Sequence, residues 1–134
     1  MDAFAALLSA DLLLPVVTDP SLDIDGNEEQ DALSDGILIL RYLFGFRGDP
    51  LTDGAVSTNC ARCTAIEIED YLELERCSEI FDVDGNGEQD ALSDGILMLR
   101  YLFGFRGDPL IDGALAPDCA RCTAAAIEAY IAGL

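Results

Sequence analysis

Oxygen-bearing side chains recur at alternate positions in two short loops of this sequence. The first loop carries them at Asp23, Asp25 and Asn27, and further acids follow at Asp31 and Asp35. Side chains at the first, third and fifth positions of a tight loop converge on one point, and glycines make room for that turn. Carboxylates held this close raise one another's pKa unless a cation neutralises them. The second loop repeats the pattern at Asp82, Asp84, Asn86, Asp90 and Asp94.

Such a set of oxygens suits a hard divalent cation. Ca²⁺ takes about six to eight oxygen ligands, and a backbone carbonyl at the seventh loop position commonly supplies one of them. Glu29 and Glu88 occupy that position here. Mg²⁺ demands a stricter octahedron and is the weaker candidate. One such loop is also explained by an ordinary Asx-rich surface turn. Two copies, each followed at once by an apolar segment, predict two Ca²⁺ sites.

An internal duplication organises the whole chain. A shift of 59 residues aligns 23–72 with 82–131, and about 38 of those 50 positions are identical. A repeat at such a period defines the structural unit. We therefore divide the chain into a lead-in (1–22), a first repeat (23–81) and a second repeat (82–134), which together form one domain of 134 residues.

Each repeat predicts the same helical elements, and no segment indicates a strand. The segments 36–44 and 95–103 are apolar on all sides, which predicts short, largely buried helices ended by Gly45 and Gly104. Residues 64–81 and 123–134 predict second helices, the first with Thr64 and Glu67 spaced as a capping box. Residues 3–14 align with the helix before the second loop. The prediction is an all-α fold of about five helices, with these core residues outside the two short helices: Leu7, Leu12, Ile68, Tyr71, Ile127 and Tyr130.

The second loop has a familiar pattern. The sequence FDVDGNG, followed by an acid and a predicted helix, resembles an EF-hand loop and, more closely, the calcium loop and helix of bacterial dockerin modules. The resemblance covers mainly 23–44 and 82–103. It implies a module that docks other proteins, with side-chain ligands at the first, third and fifth loop positions: Asp23, Asp25, Asn27, Asp82, Asp84 and Asn86.

Two positions depart from that pattern. Both families close the loop with an acid at the twelfth position, where this chain has Ser34 and Ser93. We expect Asp35 and Asp94, one residue later, to supply the closing ligand. Glu28 stands at the sixth position of the first loop, where a glycine with positive φ is favoured. The first site is therefore predicted to be strained or weaker.

Four of the five cysteines form two C-x-x-C pairs. Cys60 with Cys63, and Cys119 with Cys122, occupy equivalent places in the two repeats. A four-thiolate zinc site, redox-active thiols and a local disulfide in each repeat are all compatible with this spacing. We favour the disulfides, because calcium loops of modest affinity suit an extracellular setting where thiols oxidise. Cys77 has no counterpart and is interpreted as a buried helix residue or an intermolecular link.

Charge and composition exclude several functions. The net charge is −19, with 26 acidic residues against seven basic ones, and histidine is absent. Nucleic-acid binding needs a basic patch, and the usual general base is missing, so we expect no nucleic-acid partner and no enzyme. No segment is long and apolar enough to insert in a membrane.

The N-terminal stretch is apolar without a positive region, so we interpret it as part of the folded protein rather than as a secretory signal. RGD occurs at 47–49 and 106–108, and we interpret its arginines as offsetting nearby acids rather than as an adhesion motif. The expected function is a secreted or cell-surface calcium-binding structural or docking module that binds a protein partner or copies of itself, as a homo-oligomer or filament. The alternative is a calcium sensor or buffer of EF-hand type.

Overall fold

The computed structural model describes residues 21–134, and this part of the chain is helical without strands. The all-α prediction is confirmed for this range, whereas the predicted helix at 3–14, with Leu7 and Leu12, lies outside it. A π-helical turn precedes each of two helices, at Ala32–Gly36 and Ala91–Gly95. The six α-helices are α1 (Ile37–Leu43), α2 (Asp49–Thr52), α3 (Ala65–Cys77), α4 (Ile96–Leu102), α5 (Asp108–Ile111) and α6 (Ala124–Ala132).

Four of these helices, α1, α3, α4 and α6, lie where the sequence predicts them. The short helices α2 and α5 were not predicted, although each has a proline in its first turn, where the missing N–H costs nothing. Helix α3 ends at Cys77 rather than at 81, so its predicted end was wrong. The N–H of Ser78 donates to the Leu74 carbonyl, and Glu79 then adopts a left-handed φ of 59°, which turns the chain away from the helix axis.

All three sequence-predicted helix caps are present, and Gly104 repeats the geometry of Gly45, with a φ of 100° and the Phe105 N–H donating to the Arg100 carbonyl at 2.9 Å. Gly45 has a φ of 100°, and the next residue, Phe46, donates its N–H to the Arg41 carbonyl at 2.9 Å. This pairing is a Schellman motif, which satisfies carbonyls left free at the helix end. At the start of α3, Thr64 and Glu67 form the reciprocal capping box.

Helices α1 and α4 form the centre of the core and pack against each other through a reciprocal glycine–leucine contact. A Cβ placed on Gly36 would lie 2.8 Å from Leu99, and one placed on Gly95 would lie 2.8 Å from Leu40. Neither glycine can therefore be enlarged without displacing the leucine side chain of the other repeat. The largest fully buried side chains of the core are Leu22, Ile24, Leu38, Ile39, Leu51, Ile68, Leu72, Phe81, Leu97, Met98, Leu110 and Ile127.

The ends of the two central helices are more exposed than their apolar sequence predicts. Phe44 and Phe103 are each 52% exposed. Tyr71 and Tyr130 are half-buried and pack against the core from its edge.

Within residues 21–134, the arginines of the two RGD sequences form no ion pair. Arg47 stacks on the Tyr42 ring and donates to the Tyr42 carbonyl at 3.1 Å. The hydrogen bond from Tyr42 lowers the pKa of Glu73, and the charge of Arg47 adds to that effect, so Arg47 offsets a nearby acid without a direct ion pair.

Candidate metal centres

Three carboxylates meet in the first loop. Asp23, Asp25 and Asp35 each offer one oxygen, and these oxygens lie within 4.8 Å of one another. Asp23 and Asp25 lie on the loop, whereas Asp35 projects back from the π-helical turn that starts the next helix. The extra residue relative to the twelve-residue pattern is accommodated in that turn, because the five residues Ala32–Gly36 are wound more widely than an α-helix.

Asp25 is the most informative member of this cluster. Its side chain is fully buried, and its Oδ2 accepts hydrogen bonds from the Ser57 N–H at 2.9 Å and the Ser57 hydroxyl at 2.6 Å. Its Oδ1 is also buried and receives no hydrogen bond from any described residue. A buried carboxylate oxygen without a donor is costly, because it loses water and gains nothing in exchange. A cation among the three acids would supply that missing partner.

Asp35 ties the loop to the helix that follows it. Its Oδ1 accepts the Ile24 N–H at 2.7 Å, and its Oδ2 accepts the Asp31 N–H at 2.8 Å. The pKa of Asp35 is raised to about 7, mainly by burial and with a contribution from the charge of Asp25, although the backbone hydrogen bonds act in the opposite direction. The carboxyl can therefore be protonated near neutral pH when no cation is bound, and a cation would have to displace that proton.

The remaining predicted ligands of the first loop surround the cluster without all joining it. Asp23 accepts the backbone N–H groups of Asn27 at 3.1 Å and Glu28 at 2.8 Å, which folds the loop on itself. The Asn27 side-chain oxygen accepts the Glu29 N–H at 3.0 Å and retains a second lone pair. The Asp31 carboxylate is not one of the three that converge. The roles of Asn27, Asp31 and the Glu29 carbonyl as ligands stay predictions.

The second loop has the same arrangement 59 residues further on. Asp82, Asp84 and Asp94 converge within 4.8 Å. Asp84 is fully buried, its Oδ2 accepts the Ala116 N–H at 2.9 Å, and its Oδ1 has no donor among the described residues. Burial raises the pKa of Asp94 to about 7. The Asn86 side chain accepts the Glu88 N–H at 3.1 Å, and the Asp90 carboxylate is not in the cluster, as in the first loop. The roles of Asn86, Asp90 and the Glu88 carbonyl as ligands therefore also stay predictions.

Positive charge does not compensate either cluster within the described part of the chain. The one ion pair found there joins Arg76 to Glu73 at 4.0 Å on helix α3. The other arginines donate to backbone carbonyls, as Arg41 does to the Asp53 carbonyl at 2.8 Å. Among residues 21–134, neither cluster of three acids forms an ion pair with an arginine. Such a site can attract and hold a divalent cation.

The cysteine pairs lie beside the two loops. Cys60 and Cys63 are disulfide-bonded, as are Cys119 and Cys122, with Cα–Cα distances of 5.5 Å in both pairs. The predicted local pairing is confirmed, whereas Cys77 is exposed, so its interpretation as a buried helix residue was wrong and the intermolecular link stays a prediction. The turn closed by Cys60 and Cys63 contacts the back of the first loop, where the Ala61 N–H donates to the Asp25 carbonyl at 2.8 Å.

Two kinds of supporting residue were missed in the sequence. Ser57 and Ala116 donate N–H groups to the buried acids, but a backbone donor leaves no signature in the residue type. Arg62 and Arg121 donate to the loop carbonyls. Their signal was the recurrence of C-A-R-C in both repeats, which we attributed to the cysteines alone.

Comparisons with protein-family models, with curated proteins and with solved structures find no match to this chain. The resemblance to EF-hand and dockerin loops therefore rests on the loop residues themselves. Among the helices of residues 21–134, none has the length and apolar character needed to cross a membrane.

Proposed function

We propose that this protein is an extracellular calcium-binding structural and docking module in which each loop holds one Ca²⁺. The observation that carries the proposal is the buried Oδ1 of Asp25 and of Asp84, each of which has no donor in the part of the chain that the structure describes and lies within a cluster of three acids. Ordinary acidic turns keep their carboxylates in water, where the charge costs little. A buried cluster needs a partner, and a bound cation satisfies both the charge and the missing contact.

Calcium is favoured over other cations by the chemistry of the donors. All candidate ligands are oxygens, and several are carboxylates, which suits hard cations. The loop geometry mixes side chains with a backbone carbonyl, which the flexible coordination of Ca²⁺ tolerates better than the strict octahedron of Mg²⁺. The two disulfides fit an extracellular location, where calcium is abundant and thiols are oxidised.

Docking is supported by apolar side chains exposed next to each loop. Leu33 and Phe103 line one groove beside the first loop, and Leu92 and Phe44 line the equivalent groove beside the second. Leu33 and Leu92 are each 70% exposed, although leucine is usually buried. By fixing the loops and the helices that start from them, calcium would hold these side chains in place for a protein partner or another copy of the chain.

The test is a thermal melt combined with light scattering, in calcium and after chelation, with magnesium as the control cation. We expect calcium to raise the melting temperature strongly, because binding at a thousandfold excess over Kd contributes about 4 kcal/mol. Magnesium at the same concentration should give a smaller shift.

An unchanged melting temperature after chelation would reduce the loops to acidic turns and refute the calcium proposal. Self-assembly is a separate outcome of the same experiment. Particles that grow with protein concentration in calcium and disperse on chelation support it. A single monomer mass in both conditions contradicts self-assembly and leaves a different protein as the docking partner.

A further inference from the structure

The disulfide-closed turns hold the main chain of the candidate metal loops. In the first repeat, the N–H groups of Ala61 and Arg62 both donate to the Asp25 carbonyl, at 2.8 and 2.9 Å. The Arg62 side chain extends the contact, because its Nε donates to the Ile24 carbonyl and its NH2 group to the Asp23 carbonyl, both at 2.7 Å. Three consecutive loop carbonyls are therefore bound by one turn of four residues.

These contacts place Arg62 as a positioning residue. It does not touch the carboxylates of Asp23 and Asp25, but it fixes the backbone from which both side chains project. Its guanidinium also stacks on the Tyr71 ring, 3.8 Å from the ring centroid, so it is held from the opposite side by helix α3. A Cβ on Gly26 would lie 2.9 Å from the Cβ of Ala61, which shows how closely the turn is seated against the loop.

The second repeat has the same construction. Ala120 and Arg121 donate their N–H groups to the Asp84 carbonyl, both at 2.8 Å. The Arg121 side chain donates to the carbonyls of Val83 and Asp82, both at 2.6 Å, and stacks on Tyr130 at 4.0 Å. The molecule therefore contains two matched copies, and each can serve as the control for the other.

We propose that each disulfide-closed turn is a redox-controlled clamp on the loop beside it, so that reduction of the disulfide lowers the affinity of that loop for Ca²⁺. The inference deepens the proposed function and rests on it. The closed ring holds two neighbouring N–H groups toward one carbonyl. Once the ring is open, those residues gain conformational freedom, and ordering them again opposes cation binding.

The reductant is a dithiol, and it can approach each disulfide from the side of Cys63 or Cys122, which are exposed residues. Its thiolate attacks one sulfur of the disulfide, and a mixed disulfide forms while the other cysteine leaves as a thiolate. The second thiol of the reductant then displaces the protein. Two electrons and two protons pass to the cysteine pair, which becomes two thiols, and the dithiol becomes a cyclic disulfide.

The first measurement is calcium titration by calorimetry of a chain carrying Cys77→Ser, which removes the unpaired thiol. Adding Cys60→Ser and Cys63→Ser opens only the first clamp, and Cys119→Ser with Cys122→Ser opens only the second. Each pair of substitutions is expected to weaken one of the two binding events about tenfold and leave the other unchanged. Arg62→Lys, which loses the planar fork, should also weaken the first event, whereas Arg76→Lys on the exposed face of α3 should change neither.

The second measurement uses the natural cysteine pairs and measures the effect of calcium on disulfide reduction, instead of the effect of reduction on calcium binding. Coupling between two equilibria is reciprocal, so calcium must protect the disulfides from reduction by the factor by which reduction weakens calcium binding. The chain is equilibrated at a fixed ratio of reduced to oxidised dithiothreitol, with calcium or with chelator, then alkylated and analysed by mass spectrometry. We expect the ratio of reduced to oxidised Cys60–Cys63 to be about tenfold higher in chelator.

The possible failures are distinct. Calcium that binds equally to both redox states, with a thiol–disulfide equilibrium independent of calcium, overturns the clamp and leaves calcium binding intact. Absence of calcium binding in every state overturns the proposed function and the clamp with it. If the serine variants do not fold, which circular dichroism shows, the equilibrium with dithiothreitol decides the question on the intact sequence.

Discussion

The two loops carry the same candidate ligands but are supported differently. Residues 23–35 and 82–94 differ at two positions, and one of these sets the backbone strain. Glu28 has a left-handed φ of 73°, where the second loop has Gly87 at 90°. A residue with a Cβ is disfavoured in this region by about 1–2 kcal/mol, and glycine is not.

Outside the loops, some differences between the two repeats favour the first site and others favour the second. The first site has the Ser57 hydroxyl on Asp25, where the second has Ala116 with only its backbone N–H. Helix α3 buries the carboxyl of Glu75, and the equivalent position of the second repeat is Leu134. Identical ligands can thus have unequal affinity, because strain, hydrogen bonds and neighbouring charge come from residues outside the ligand set.

The largest expected effect is the loss of calcium binding at one site while the other site still binds. Asp25→Asn and Asp84→Asn each remove the charge of a buried acid whose Oδ1 has no donor among residues 21–134, and each should weaken calcium binding at its own site more than about a hundredfold. Calorimetry should then give one binding event in place of two. Asp70→Asn, an exposed acid on α3 with the same change in charge, is the control. Two events retained in either variant would show that these acids are not ligands.

Glu75 should make the free energy of unfolding depend on pH, and this contribution should come from the first repeat alone. Burial raises its pKa to about 7, against about 4.3 in the unfolded chain. The folded state therefore holds the proton more tightly, and stability is lost as pH rises through the window between these values. Glu75→Gln should remove that loss, worth roughly 1–3 kcal/mol between pH 5 and pH 8.

Urea denaturation of the Glu75→Gln variant and the parent across this range, in saturating calcium, measures the difference. Subtracting the parent cancels other titrating groups, and Asp70→Asn controls for the loss of an exposed carboxyl on the same helix. If the free energy of unfolding changes with pH by the same amount in Glu75→Gln and in the parent, the raised pKa of Glu75 is contradicted.

Exchanging the sixth loop residue should reverse the order of calcium affinity of the two sites. Glu28→Gly relieves the left-handed strain, and Gly87→Glu introduces it, each by about 1 kcal/mol or about fivefold in Kd. Calcium titration of the single and double variants checks this. If affinity follows the charge of the added or removed carboxylate rather than the strain, the two substitutions will have the opposite sign.

The smallest expected effect concerns the hydroxyl on Asp25. Ser57→Ala removes one hydrogen bond but keeps the backbone N–H, so a change of about 0.5–1 kcal/mol in stability is expected. Ala116→Ser offers the same hydroxyl to Asp84 and should add a similar amount. Chemical denaturation with and without calcium measures both, and equal stabilities would show that the hydroxyl contributes nothing.

The sequence predicted the parts of this fold that depend on local chemistry. The capping box of Thr64, the glycine cap at Gly45 and the cysteine pairs three residues apart are all set by short-range spacing. The convergence of Asp23, Asp25 and Asp35 also follows from the loop pattern, once Asp35 rather than Ser34 is taken as the closing acid.

Features that depend on contacts between distant parts of the chain were not predicted from the sequence. Arg62 binds carbonyls 38 and 39 residues away, and nothing in its type distinguishes it from an arginine that offsets acids. The end of α3 depends on a left-handed Glu79, a conformation that sequence does not favour for glutamate. The exposure of Phe44 and Phe103 was also missed, because an apolar sequence does not say which face of a short helix the rest of the chain will cover.

The reciprocal contact between Gly36 and Leu99, and between Gly95 and Leu40, has a consequence for divergence of the two halves. Each half presents the same glycine and the same leucine, so the join is isologous, like that of a twofold homodimer, but within one polypeptide. In a homodimer, every substitution is made in both subunits. Here the two sides are encoded separately, so one loop can acquire Glu28 while the other retains Gly87, and the shared join between the halves is preserved.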